Sequence, residues 1–313
     1  MNDILISVIV PMYNEEKNII NLLNNFKKQT FKNFELVLVN DGSVDTTDLL
    51  VKNYDAEGLN ITYFTNNNNG VGYSRNYGIS KARGEYVTFL DSDDYFDKQF
   101  LEKMFYEVTK TDSNICYCGY NVVYPNKIQS AKSRFSNSDV FENFLLGVTK
   151  IHTSCWLIKK EIIIKNNIIF LEDTNWGEDF YFFCKLLFLE RNISFVPEYL
   201  SYYRHEFEVN RLSKNSTDKL DLDVDLIKRV IDDLELPQTS RPYQILVNYR
   251  LPMMIITRLI GLSKIITSKE EFLKISSAYS NLYCNKKYIF GFQSLKQFIK
   301  LCQLKCIQVR FNK

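Results

Sequence analysis

Three short acidic stretches bring together residue types that can do chemistry: Asn40-Asp41-Gly42-Ser43, Asp91-Ser92-Asp93-Asp94 and Gly177-Glu178-Asp179. The second is the richest. It directly follows the apolar run Tyr86–Leu90, and in an extended conformation Asp91 and Asp93 project to the same side. Two carboxylates so placed suit a hard cation such as Mg²⁺ or Mn²⁺, which takes oxygen ligands, commonly one or two carboxylates plus phosphates and water. Such a cation would stabilise the charge developing on a departing diphosphate. The same four residues are also good capping material for a helix expected over Lys98–Lys110. Asp41 is equally two-sided, because Asp-Gly marks an ordinary turn. Glu178 and Asp179 stand at what reads as a helix N-terminus, where an acid favours the dipole. Arg75, in Gly70-Val71-Gly72-Tyr73-Ser74-Arg75-Asn76, can pair with phosphate or sit in a surface salt bridge.

The elements that must position these residues follow from periodicity. Ile4–Val10 is apolar except for Ser7, as in a strand covered on both faces. Ile19, Ile20, Leu23 and Phe26 then fall at helical spacing, with Glu15 and Glu16 at the helix start. Phe34–Val39 predicts a second strand and Thr46–Tyr54 a second helix, with Asp45 as its cap. A third strand over Ile61–Phe64, a helix over Tyr73–Ala82 and a fourth strand over Tyr86–Leu90 complete the pattern. Strands alternating with helices imply a doubly wound, mostly parallel sheet. Ligands bind such sheets beyond the carboxyl ends of the strands. Here those ends read Pro11-Met12-Tyr13-Asn14, Asn40-Asp41-Gly42-Ser43 and Asp91-Ser92-Asp93-Asp94, so an aromatic ring, a carboxylate and a carboxylate cluster reach one edge.

Two common phosphate binders are excluded. No G-x-G-x-x-G follows the first strand, since Gly70, Gly72 and Gly78 have Arg75 where the third glycine belongs, and no G-x-x-x-x-G-K-[ST] occurs. The phosphates must be neutralised another way, and a metal held by acids is the available means.

In order and spacing, five blocks resemble a family 2 glycosyltransferase with the GT-A fold, over Ser7 to about Ser213. They are Ser7-Val-Ile-Val-Pro-Met-Tyr-Asn14, Asp41-Gly-Ser43, Ser74-Arg-Asn-Tyr-Gly78, Gly84-Glu-Tyr-Val-Thr-Phe-Leu-Asp-Ser-Asp-Asp94 and Gly177-Glu-Asp179. The resemblance implies an α/β fold with a Rossmann-like sheet flanked by helices. It also implies inverting transfer of a hexosyl or N-acetylhexosaminyl group from a nucleotide-diphosphate donor, a UDP-sugar, to a hydroxyl of a glycan or lipid-linked glycan. Pro11, Tyr13 and Asp41 would hold the nucleoside with help from Glu15, and Arg75 and Ser92 would lie near the base or phosphates. Asp91 would contact the ribose or the metal, and Asp93 would ligate Mn²⁺ or Mg²⁺. Asp179 would be the general base, a task that suits an Asp ionised at neutral pH, with Glu178 orienting the site. His205, in Tyr202-Tyr203-Arg204-His205, lies near the position where relatives place a histidine beside the metal and diphosphate. Relatives often carry one residue between that arginine and histidine, so the match departs from the pattern. Arg211 is a further diphosphate candidate, and Trp156 and Trp176 can stack on sugar rings or fill the core. Assembly of cell-surface polysaccharide is the pathway the family suggests. Rivals are a nucleotidyltransferase, for which Tyr13-Asn14-Glu15-Glu16 is the wrong chemistry, and a silent nucleotide-sugar-binding module.

The formal charge of +2 hides an asymmetry: Arg241–Lys313 holds 13 Lys/Arg against Glu270 and Glu271, leaving about −9 on the first 240 residues. Residues 1–215 are expected to form the catalytic domain and 216–313 a helical appendage. Leu295, Phe298, Ile299, Cys302, Cys306 and Val309 recur at helical spacing with Lys296 and Lys300 on another face. That helix can lie on an anionic membrane or pack against the domain or a second subunit, as in a homo-oligomer. Nucleic acid is disfavoured because the basic residues are interleaved with large apolar ones. The seven cysteines are odd in number and lack paired C-x-x-C spacing, so reduced, mostly buried thiols are expected. No signal peptide precedes Ile4 and no clean apolar span of about 18 residues is evident, so the expected location is cytoplasmic, or peripheral at the inner face of the cell membrane.

Overall fold

A computed structural model describes residues 4–205, 216–284 and 291–312. It contains two compact units, Met1–Val140 with Val148–Glu208, and Phe141–Gly147 with Val209–Lys313. The short stretch Phe141–Gly147 clusters with the C-terminal unit, an excursion that no single boundary along the chain contains.

The first unit opens with four strands, β1 (Ile6–Met12), β2 (Phe34–Asn40), β3 (Ile61–Thr65) and β4 (Tyr86–Phe89). They alternate with helices α1 (Ile19–Lys27), α2 (Thr47–Lys52) and α3 (Val71–Lys81). Every residue of β1, β2 and β4 is buried, as expected of apolar strands covered on both faces. The polar exception in β1 is satisfied: Ser7 donates to Glu35 of β2 at 2.7 Å and accepts from the Gly84 N–H at 2.8 Å. The chain continues through β5 (Tyr95–Phe96), α4 (Phe100–Thr111), β6 (Ile115–Tyr124), β7 (Lys127–Ser130), α5 (Val140–Leu145), which falls almost wholly in the stretch that clusters with the C-terminal unit, β8 (Trp156–Lys159), α6 (Lys160–Lys165), α7 (Glu178–Leu189) and β9 (Ile193–Arg204).

The strands form one sheet in the order β3-β2-β1-β4-β8-β6-β9-β5, with β7 paired to β6. Strands β3, β2, β1 and β4 run parallel, and β8 joins β4 antiparallel. Two consequences bear on the site. The chain leaves β1 for β2 on one side and reaches β4 on the other, so a crevice opens beyond the carboxyl end of β1. Because β8 is antiparallel, the residues that precede it lie beside the carboxyl end of β4, where Asp91–Asp94 emerge.

The second unit is helical: α8 (Asp218–Asp233), α9 (Arg241–Ile245), a π turn over Leu246–Arg250, α10 (Leu251–Leu262), α11 (Lys269–Ala278), α12 (Ser280–Tyr283) and α13 (Phe292–Asn312). Arg241–Leu262 is continuous and, contrary to the sequence expectation, long and apolar enough to cross a membrane. Within the unit, however, 61% of its most apolar stretch is buried. Its Arg258 is buried too, paired with Asp223 of α8 at 2.8 Å and 3.1 Å. The wide π turn accommodates Pro252 at the start of α10.

Candidate active site

The carboxyl ends of β1 and β2 are laced together. The Asn14 N–H donates to Ser43 Oγ and the Val44 N–H to Asn14 Oδ1, both at 2.9 Å. The Glu15 N–H donates to Thr47 Oγ1 at 2.7 Å, and Asp45 Oδ1 accepts from the Thr47 N–H at 3.0 Å at the start of α2. Tyr13 projects beyond β1 and is 46% exposed, while Pro11 is buried at the strand end. Asp41 is buried. Its two oxygens accept the Asn69 and Gly70 N–H groups at 2.8 Å and 2.7 Å, which ties the end of β2 to the start of α3. Helix α3 lies unusually close to the following chain, because a Cβ on Gly72 would stand 2.0 Å from the Leu171 carbonyl oxygen.

That close approach delivers Arg75 into the interior. Its guanidinium donates to Asp91 Oδ1 at 2.7 Å and to Glu178 Oε1 at 3.0 Å, and lies 5.2 Å over the Phe170 ring. Only 4% of its side chain is exposed, so it is an internal cross-brace and not the surface salt bridge that the sequence offered as one alternative. Burial works against ionisation of Asp91, but the Arg75 charge and nearby His152 outweigh it and hold the carboxyl below its ordinary pKa. Glu178 shifts the other way. Burial and the neighbouring Asp179 raise it, and Arg75 only partly offsets them.

The loop after β4 departs from the extended path. The Asp94 N–H donates to the Asp91 carbonyl at 3.0 Å, closing a tight turn. In such a turn the first and fourth residues approach each other, so Asp91 gathers with Asp94. His152 joins them, and donor atoms of Asp91, Asp94 and His152 all lie within 4.8 Å of one another. His152 Nδ1 is 2.9 Å from Ser154 Oγ and 3.9 Å from Asp94 Oδ2. Burial lowers its pKa despite the opposing pull of Asp91 and Asp179. A neutral imidazole keeps a lone pair for a metal. Two carboxylates and an imidazole are a donor set that fits a divalent cation such as Mn²⁺. Glu15 is half-buried nearby. Burial raises its pKa, while Asn18 and Ser92 donate to it.

Asp179 occupies the first turn of α7, after Gly177 with its left-handed φ of 75°. Thr153, next to His152, donates to it at 3.4 Å. The base candidate therefore stands beside the carboxylate–imidazole cluster, and Arg75 links Glu178 to Asp91 beneath both.

This geometry coincides with a family match. Residues 7–166, just over half the chain, fit the model of glycosyl transferase family 2. The chain belongs to that family. A 190-residue stretch is 31% identical to an uncharacterized glycosyltransferase of Rickettsia typhi and covers 58% of each chain. Another of 212 residues is 32% identical to the poly(ribitol-phosphate) beta-N-acetylglucosaminyltransferase TarS of Staphylococcus aureus, covering 66% of this chain and 36% of that protein. The chain thus spans less than two thirds of these relatives' lengths. Among solved structures, TarS 1-349 in complex with UDP-GlcNAc aligns with a TM-score of 0.70 at 22% identity, over 98% of this chain and 89% of that one. A mannosyltransferase from Pyrobaculum calidifontis in complex with GDP-Man and Mn²⁺ gives 0.57 at 16% identity, over 98% and 86%. These likenesses establish the GT-A fold expected from the sequence.

Against the family pattern read from sequence, the structure brings Asp91, Arg75, Glu178 and Asp179 into one cluster. The other two expected metal contacts, Asp93 and His205, line a cavity of ≈ 740 Å³ that Asp94 of the three-residue group also lines, with Asn18, Tyr95, Tyr124 and Arg204. The His205 N–H is tied to the Val123 carbonyl at 2.8 Å, and its ring stacks on Tyr124 at 5.2 Å. Trp156 cannot stack on a sugar: it is fully buried, 4.8 Å from the Phe183 ring and 5.6 Å from Tyr117. Trp176 is half-buried in the loop before α7. Arg211 lies outside the described residues. Asp94 and His152 received no role from sequence reasoning. The turn-forming composition of Asp-Ser-Asp-Asp could have pointed to Asp94. No local signal marks His152, which the antiparallel pairing of β8 brings in.

Proposed function

We propose that this chain is a metal-dependent inverting glycosyltransferase acting on a nucleotide-diphosphate sugar, with a UDP-sugar as donor and a glycan or lipid-linked glycan hydroxyl as acceptor. The observation that carries the reading is the junction of the Asp91–Asp94–His152 group with Asp179, braced by Arg75. Asp91, Asp94 and His152 would hold Mn²⁺ or Mg²⁺, which when bound neutralises the diphosphate. Tyr13, at the carboxyl end of β1, would meet the nucleoside, with Asp41 holding the loop before α3 in place and Glu15 and Ser92 assisting. Asp179 accepts the proton of the acceptor hydroxyl. The hydroxyl oxygen then forms a bond to the anomeric carbon from the face opposite the nucleotide, as the bond from that carbon to the diphosphate oxygen breaks. The electron pair leaves with the nucleoside diphosphate, and the configuration inverts. Glu178, held by Arg75, fixes the start of α7 and so aims Asp179. Trp176, on the loop before α7, would border the acceptor.

The test is a panel of nucleotide sugars with and without Mn²⁺, read by thermal stabilisation and by release of nucleoside diphosphate. UDP-GlcNAc is the first to try, since it is bound in the TarS complex. Metal-dependent stabilisation by at least one donor is expected, with turnover abolished in Asp179→Asn while donor binding is kept. Full turnover in Asp179→Asn would remove the base assignment. Failure of every nucleotide sugar to bind would remove the reading itself.

A further inference from the structure

Helix α13 is amphipathic in the wrong direction for a surface helix. Its inward face mixes glutamines with leucines, and three of the glutamines make specific contacts. Gln293 Oε1 accepts from the Tyr249 hydroxyl at 2.8 Å, and Gln308 Nε2 donates to Ser276 Oγ at 2.6 Å. Gln297 Nε2 donates to the Asn248 carbonyl at 2.9 Å. That carbonyl lies four residues before Pro252, which has no N–H to return to it. Between these contacts Leu301 and Leu304 are buried, so the helix is firmly seated by this side. Other apolar residues point the other way: Leu295, Ile299 and Val309 are each between 50% and 57% exposed, and Cys306 is exposed among them. A helix that turns glutamines inward and leucine, isoleucine and valine outward gains nothing from that arrangement in water.

We propose that the outward face of α13 docks on the surface of an anionic lipid bilayer. Charge decides the occupant. The helix has no acidic residue along its 21 positions and carries Lys296, Lys300, Lys305 and Arg310. Apolar side chains inserted at the headgroup boundary, with lysines reaching anionic headgroups beside them, are the two terms of interfacial binding. A second copy of the same face would bring four like charges against four, which disfavours a symmetric pair. This inference rests on the helical unit alone and does not depend on the reaction proposed above.

The experiment uses the full chain in flotation with vesicles of phosphatidylcholine, with and without a substantial share of phosphatidylglycerol. Binding to the anionic vesicles is expected, weakened by high salt and roughly tenfold or more stronger than to neutral ones. Leu295→Ser with Ile299→Ser should abolish it, and Lys300→Glu with Lys305→Glu should reduce it about tenfold. All of these side chains except Lys300 are exposed, so folding should survive, as checked by an unchanged melting temperature. Absence of binding by the unmodified chain, or equal binding to neutral and anionic vesicles, overturns the proposal. So does a dimer, seen by light scattering, that the two serine substitutions dissociate, because the face would then belong to a second copy.

Discussion

At the scale of single residues, the site depends on which acid faces which partner. Asp94 groups with Asp91 and His152 in the set proposed to hold a cation, while Asp93 lies within the turn without joining that set, so the two aspartates are expected to behave differently. In calorimetric titration with Mn²⁺, Asp94→Asn should weaken binding at least tenfold, a loss that removal of even an outer partner of a ligand approaches. Asp93→Asn should change it much less; equal losses would return Asp93 to the metal. Asp91 also ties stability to pH. Its pKa is held below the ordinary 3.8, so the stability it contributes is present above that value and drains away as pH falls towards the depressed one. Urea melts of the metal-free protein should therefore show Asp91→Asn to be less stable at neutral pH. Its further decline under acid should be shallower than that of the unmodified chain. Identical acid limbs would mean that Arg75 does not hold Asp91 as described.

At the scale of elements, the site is assembled by close approaches between segments distant in sequence. Helix α3 reaches the interior because Gly72 leaves no side chain against the Leu171 carbonyl, and Arg75 rides in on the same helix one turn later. Gly72→Ala should push α3 outward, at a cost of ~1–3 kcal/mol typical of overpacking. The shift should also loosen Arg75 from Asp91 and Glu178, so donor stabilisation by nucleotide sugar should fall along with the melting temperature. A variant that melts normally and binds donor normally would show that the chain relaxes without moving α3. Helix α7 makes the complementary point. Its first turn carries both acids, yet one is absorbed by Arg75 and only the other is presented to the cleft.

At the scale of the whole molecule, the catalytic machinery and the basic helices fall in separate compact units. The helical unit has its own buried ion pair, and removing one partner of such a pair strands the other without solvent. Asp223→Ala should destabilise that unit by ~3–5 kcal/mol, because it removes the carboxylate that meets the buried Arg258 guanidinium at two points. Limited proteolysis should then cut first within residues 216–284, and a protease map unchanged from the parent chain would count against the pair's importance. What the sequence determined by itself was local and periodic. Strand and helix alternation, the acids at strand ends and the five ordered blocks all lie within short windows, where the pattern of burial dictates residue type directly. The α/β fold, the crevice edge and the placing of Asp91, Glu178 and Asp179 at element ends were legible for that reason. Only the tertiary structure decided the partners. A turn hydrogen bond brought Asp94 to Asp91, the antiparallel seat of β8 carried His152 to the end of β4, and packing against Phe183 consigned Trp156 to the core. Each of these is a contact between segments whose separation along the chain carries no periodic signal, so nothing short of the folded chain could have set them.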